Sequence, residues 1–209
     1  MSAGRYEDYW AAHAPSPLSD PLTRRRRDFL WARVGRVDSG QISLLDCGAG
    51  DGGLVEDARA RGYRAVGLEV SAAAIERAEQ TRPGLDLRRH SVEDLPWPVE
   101  AASWDAVVSF EVIEHLVEPR ALLEGAQAAL VPGGGLFIST PFHGIAKNLA
   151  VAAFRFDAHF AVEGDHIRFF TDRALRRLLE SGGFAIVEIV HLGRVRPLWA
   201  NTLVHARKR

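Results

Sequence analysis

Residues 44–53 read LLDCGAGDGG. An apolar run, Leu44 and Leu45, leads into Asp46 and then into a turn containing Gly48, Gly50, Gly52 and Gly53. Glycine removes side chains where a chain turns sharply and where a ligand must approach the backbone. The residues before the turn have the character of a strand, and those after it, to about position 61, have the apolar spacing of a helix. Glu69 closes the next apolar run, 23 positions after Asp46. A nucleotide-binding sheet offers a carboxylate to ribose hydroxyls at such a position.

Outward from this turn, strand and helix alternate. Strands are predicted at Ile42–Asp46, Ala65–Glu69, Leu85–Arg89, Trp104–Phe110, Gly135–Thr140, Phe184–Val190 and Thr202–Ala206. Helices are predicted at about 53–61, 72–81, 119–130 and 172–181, with Ser71 and Thr171 as N-caps and Gly62 and Gly182 where helices stop. The inner strands are short and wholly apolar, as a sheet covered on both faces requires. This pattern predicts an α/β fold: a doubly wound, mostly parallel, seven-stranded, Rossmann-like sheet with right-handed crossovers. Two final strands with no helix between them imply an antiparallel edge. Residues 1–40 are expected to form an N-terminal helical cap. Within it, a short aromatic helix precedes a Pro-rich break, and a second helix runs from Ser19 or Asp20 to about Val37. Arg24 to Arg27 cover all sides of that second helix and are expected to be solvated. Residues 41–209 form the main domain, interrupted at about 141–170 by a His- and Phe-rich stretch that looks like an inserted lid.

Gly48, Gly50 and Gly53 also satisfy the dinucleotide pattern GxGxxG. Charge separates the candidates. A dinucleotide would place a pyrophosphate against Asp46 and Asp51, which repel it; S-adenosylmethionine (SAM) brings an ammonium and a sulfonium, which carboxylates favour. A nucleotide oxidoreductase is the alternative, and tight NADH binding without SAM binding would mark it.

Composition narrows the class further. With 26 basic and 27 acidic residues, no strong basic field points to nucleic acid or a membrane surface. A single cysteine, Cys47, excludes an internal disulfide framework and a cysteine-rich zinc site. The opening residues lack a signal-peptide core and no apolar run approaches a membrane span, so a cytoplasmic protein is expected. The oligomeric state is left open.

Five segments together resemble the class I SAM-dependent methyltransferases: LLDCGAGDG, GLEVS, SVEDLPW, WDAVVSFEVIEHL and LVPGGGLFISTP. FEVIEHL followed by PGG and STP most resembles the ubiquinone-biosynthesis O-methyltransferases. The resemblance implies that Asp46, Gly48, Gly50 and Asp51 meet the methionine end of the cofactor and that Glu69, with Val70 beside it, holds the ribose. It implies that Val92 and Glu93 flank the adenine and that Glu111 faces the methionine moiety or the substrate. Ser91 stands where the family commonly has Asp. An N-terminal aromatic segment closes over the cofactor in related enzymes, a part that Tyr6, Tyr9 and Trp10 could take here; an ordinary packed amphipathic helix explains them as well.

Glu111, Glu114 and His115 form an ExxEH cluster past the fourth predicted strand. If the segment is helical, Glu111 shares a face with the other two at i+3 and i+4. With His166 from the lid, they make a ligand set for Mg²⁺, Mn²⁺ or Zn²⁺. The arrangement resembles small-RNA 2′-O-methyltransferases and metal-assisted quinone O-methyltransferases. In the plainer alternative, Glu114 and His115 cap or pack. The expected reaction is methylation of a small, planar or aromatic hydroxyl acceptor, with His166, then His143, then His115 as candidate base. An RNA 2′-O-methyltransferase and a non-catalytic SAM-binding partner subunit are the alternatives.

Overall fold

The computed structural model describes residues 7, 20–34, 42–154, 156, 166–193, 196 and 198–209. Its strands are β1 (Ser43–Cys47), β2 (Arg64–Glu69), β3 (Leu87–Arg89), β4 (Trp104–Phe110), β5 (Leu130–Pro141), β6 (Phe184–Leu192) and β7 (Asn201–Lys208). They form one sheet in the order β3-β2-β1-β4-β5-β7-β6. β1 to β5 are mutually parallel, whereas β7 inserts antiparallel between β5 and β6, which leaves β6 at the edge. The helices are α1 (Pro21–Trp31), α2 (Gly53–Ala60), α3 (Ala72–Thr81), α4 (Pro119–Ala129), α5 (Ile145–Phe154) and α6 (Asp172–Ser181).

Alternating side chains on each strand divide the core in two. Leu45, Val107, Ile138 and Val204 face α4 and α6, meeting Leu122, Leu123, Leu175 and Leu179. Leu44, Val108, Phe137 and Leu203 face α1 and α2, meeting Phe29, Leu30, Val55 and Ala58. All five residues of β1 are buried, as a strand covered on both sides must be. Short polar side chains begin the helices. Asp20 accepts from the Thr23 amide (2.7 Å), Ser71 from the Ala74 amide (3.2 Å) and Thr171 from the Ala174 amide (3.2 Å).

Two expectations are corrected. α1 stops at Trp31 rather than near Val37, because the Arg33 and Val34 amides turn back onto the Leu30 carbonyl and Arg33 pairs with Glu188 of β6. The four arginines are not uniformly solvated either. Arg24 and Arg25 are exposed, but Arg26 and Arg27 are partly buried towards the sheet. Within 141–170 the described part contains α5, none of whose residues is buried. Among the described residues, no helix is long and apolar enough to cross a membrane.

Candidate functional site

The strand order reverses beside β1, whose neighbours are β2 and β4. In open α/β sheets a ligand crevice lies outside the carboxyl ends of the strands at that point. β1 delivers Asp46 there, in register with Gly67 of β2 and Val108 of β4. Gly48 follows at φ +83°, and a Cβ on it would lie 2.4 Å from Cγ2 of Val112, so the turn closes only with glycine. Glu69 of β2 ties the turn down: one carboxylate oxygen accepts from the Gly50 amide (2.7 Å) and the other from the Ser71 amide (2.8 Å). Asp46 and Glu69 are both buried. Burial, then the charge of Glu69, pushes the Asp46 carboxyl up to about 7, against the pull of Arg27. Burial also raises Glu69, with Glu7 adding to the effect.

The loop's other acid behaves differently. Asp51 lies 3.0 Å from Arg82 and accepts from the Gly53 amide (3.3 Å). Its charge is matched locally, so the unbalanced acidity of the crevice comes from Asp46 and Glu69. Val70, just past β2, is half-buried. Val92 is buried and its carbonyl accepts from the Trp97 indole (3.1 Å). The Glu93 carboxylate accepts from the Glu118 amide (2.6 Å), so it fastens the start of α4.

Glu111 leaves β4 at φ +56°, a left-handed conformation rare for a residue with a side chain. A dense set of bonds holds it there. Its amide donates to the Ser139 carbonyl (3.0 Å) and hydroxyl (3.1 Å). Its carboxylate accepts from the Ser139 hydroxyl (2.7 Å) and the Asn201 side-chain Nδ2 (2.8 Å), and lies 3.3 Å from Arg26. Backbone strain over-determined by its surroundings is concentrated at functional sites.

That kink overturns the expected single helical face. Only a 3₁₀ turn, Ile113–His115, follows, so Glu111 does not stack with Glu114 and His115. The structure instead groups Glu114, His115 and His166, whose ligand atoms lie within 4.8 Å of one another. The Ile167 and Arg168 amides donate to the Glu114 carbonyl (3.1 and 3.0 Å), and the Arg168 guanidinium donates to the carbonyls of Leu116 and Val117. These bonds carry His166 to the turn. The Glu114 carboxylate is buried with no hydrogen-bond partner for either oxygen among the described residues. Burial, followed by the charge of Glu111, pushes it up to about 8. A buried carboxylate beside two imidazoles suits a divalent cation, which would supply the missing partner.

His143 stands apart from that group. It is buried after β5, with Nδ1 3.3 Å from the Asn148 side-chain oxygen and its ring edge-on to Phe169. Tyr9 and Trp10 lie outside the described residues. Glu7 of the same stretch is described: its carboxylate accepts from the amides of Ala72 and Ala73 (both 2.8 Å) and from the Ser71 hydroxyl (2.9 Å). Glu7 is thereby attached to the start of α3, near Glu69.

Sequence reasoning missed Arg26, Asn201, Ser139 and Glu7. For Arg26 a signal existed: it lies three and four positions before the buried Phe29 and Leu30, hence on their face of the helix. For the others none did, since their partners lie 28 to 90 positions away along the chain.

Comparison with known proteins identifies the family and the fold. A family model described as a methyltransferase domain matches residues 12–189. A ubiquinone biosynthesis O-methyltransferase of Xanthomonas campestris pv. campestris is 33% identical over 137 residues, 63% of this chain and 55% of that protein. One from Xylella fastidiosa is 31% identical over 164 residues, 76% of this chain and 65% of that protein. The chain thus spans about half to two thirds of the length of these curated relatives. Among solved structures, a SAM-dependent methyltransferase from Mesorhizobium loti has the same fold (TM-score 0.69, 21% identity, 87% of this chain and 96% of that one). So does geranyl diphosphate C-methyltransferase from Streptomyces coelicolor A3(2) (TM-score 0.71, 17% identity, 99% and 98%).

Proposed function

This chain belongs to the class I SAM-dependent methyltransferases, and from that premise we propose that it methylates a hydroxyl of a small, planar acceptor. The observation that carries the proposal is the buried Asp46–Glu69 pair beneath a glycine turn at the switch point. Such a site favours a ligand that brings positive charge and disfavours a diphosphate. SAM supplies an electrophilic methyl on a sulfonium. Asp46 and the Gly48–Gly50 backbone bind its amino-acid end, and Asp51 holds the loop through Arg82. Glu69 and Val70 meet the ribose, and Val92 and Glu93 border the adenine. Glu111, fixed by Ser139, Asn201 and Arg26, shapes the side of the crevice where the methyl is presented. Tyr9 and Trp10, two and three positions after Glu7, are assigned to cover the cofactor. The choice of oxygen as acceptor atom rests on the names of the curated relatives.

The residues that would hold a divalent ion are Glu114, His115 and His166, with Glu111 near enough to act on Glu114 through its charge. A bound ion there would lower the pKa of an acceptor hydroxyl. In its absence His166, His143 or His115 takes the proton. The protein's main contribution is to hold acceptor and methyl in line.

Calorimetry tests the cofactor. S-adenosylhomocysteine should bind and NADH should not, and Gly48→Val should abolish the heat. NADH binding without S-adenosylhomocysteine binding would overturn the proposal. Labelled methyl transfer tests the acceptor: turnover on 3,4-dihydroxybenzoate is expected, whereas turnover only on a short RNA would replace the small-molecule class. Binding with no product from either probe would indicate a non-catalytic subunit.

A further inference from the structure

β5 and β6 run in the same direction because both pair antiparallel with β7. The end of β6 therefore reaches the same sheet edge as the crevice. There Thr140 of β5 is in register with Thr202 of β7, and Thr202 with His191 of β6. Registered residues share a sheet face. These three share the face of Ile138, Val204 and Ile189, two positions away on each strand, which pack with α6. At ~4.8 Å per strand, His191 stands roughly 10 Å from Thr140, two strands further out.

His191 is built into a niche. Its Nε2 lies 2.9 Å from a carboxylate oxygen of Asp172, at the start of α6, and Thr202 donates to the other oxygen at 3.4 Å. One face of its ring stacks on Trp199 (centroids 4.4 Å, 19°). Phe142 meets both rings edge-on, at 5.0 and 5.1 Å. The Phe142 amide donates to the Ala200 carbonyl (2.8 Å), so the chain beside Trp199 is fastened to the end of β5. The side chain of His191 is 20% exposed. The Asp172 carboxylate selects the tautomer with hydrogen on Nε2, which leaves Nδ1 as an acceptor.

We propose that the His191–Asp172 pair, walled by Trp199 and Phe142, recognises the far end of an aromatic acceptor by accepting a hydrogen bond from a second ring hydroxyl. The proposal rests on the methyltransferase assignment above and adds the substrate class: an aromatic ring with one hydroxyl to be methylated and another across the ring. Trp199, which is partly exposed, gives the niche an apolar wall for a ring, and the buried Phe142 supports it from behind. The imidazole discriminates because a ring lacking the second hydroxyl leaves Nδ1 without its donor. His191 acts on specificity and takes no proton in the methyl transfer. Asp172 is a positioning residue that acts through the imidazole.

The test uses the whole chain loaded with S-adenosylhomocysteine, with EDTA present, and NMR of histidine-labelled protein. Hydroquinone should shift the His191 ring signal and bind about fivefold more tightly than phenol, the worth of one neutral hydrogen bond. His191→Phe keeps an aromatic ring in the niche and should equalise the two affinities, with the S-adenosylhomocysteine heat unchanged. Asp172→Asn should narrow the difference and move the ring-nitrogen signature of Nε2 protonation, which a merely structural Asp172 would not do. Equal affinities in the parent protein, a difference that survives His191→Phe, or no His191 shift with hydroquinone overturns the proposal while leaving cofactor binding intact. Loss of S-adenosylhomocysteine binding in the parent protein overturns the methyltransferase assignment itself, and this proposal with it.

Discussion

At the scale of single residues, Asp46 couples cofactor binding to stability. Its carboxyl is pushed from an ordinary 3.8 to about 7 by burial and by Glu69. Between those values the folded chain keeps a proton that the unfolded chain has released, so stability falls as pH rises through the window, and the full cost is present above about 7. Glu114 has the same sign, over a window that ends at about 8. Asp46→Asn should therefore stabilise the cofactor-free chain at about pH 8 by at least ~1 kcal/mol, or ~2–4 °C in melting temperature. The same substitution should remove the heat of S-adenosylhomocysteine binding. Melting curves from about pH 5 to pH 8 check this; parallel curves for parent and variant would show that Asp46 carries no such cost. Gly48 has a steric role and a conformational one, and these separate. Gly48→Ala suffers both the 2.4 Å approach to Val112 and the φ of +83°. Adding Val112→Ala should recover only the steric part, leaving a loss of about 1 kcal/mol measured by denaturant unfolding. Asp46, Gly48 and Glu69 were legible in the sequence because each follows from local chemistry at a strand end. The ion pair of Asp51 was not, because Arg82 lies 31 positions away.

At the scale of elements, the helix starts agree with capping chemistry, and Ser71 and Thr171 stand where the sequence places them. Glu7 adds a cap that no local rule reveals, since it reaches the amides of Ala72 and Ala73 from 65 and 66 positions away. A carboxylate at a helix N-terminus is favoured by hydrogen bonding and by the helix dipole. The bond from the Ala73 amide is the leading cause that holds the Glu7 carboxyl below its ordinary value. Glu7→Ala should speed amide exchange at Ala72 and Ala73 severalfold, with the α6 amides unchanged, in hydrogen exchange read by NMR. The ExxEH segment shows where periodicity fails. A four-residue spacing places side chains together only in a helix, and the left-handed Glu111 prevents one. The grouping of His115 with His166 arises instead from the Ile167 and Arg168 amides, which donate to the Glu114 carbonyl, and from the Arg168 guanidinium, which donates to the carbonyls of Leu116 and Val117. Calorimetry with Mn²⁺ should show binding that is lost in His166→Ala, retained in Glu111→Gln, and accompanied by proton release below about pH 8 as Glu114 ionises.

At the scale of the molecule, cofactor binding should consolidate the crevice formed by β1, β2 and β4. S-adenosylhomocysteine at a hundredfold excess over its Kd should add about 2.7 kcal/mol of apparent stability, roughly 5–10 °C. NADH at the same concentration should add none, and equal shifts from both would contradict the electrostatic basis of the assignment. The sequence alone determined the doubly wound sheet, its glycine turn and the carboxylates Asp46 and Glu69 at the ends of two strands. These depend on short-range patterning: apolar runs, caps, and a carboxylate at the end of a strand. Only the tertiary structure decided which charges are balanced and which side chains meet. It turned Arg26 inward, separated Glu111 from Glu114, brought His166 to the turn and set His191 against Asp172. Each of those outcomes depends on which strands are neighbours and which way they run, and a chain records that order only once the sheet has formed.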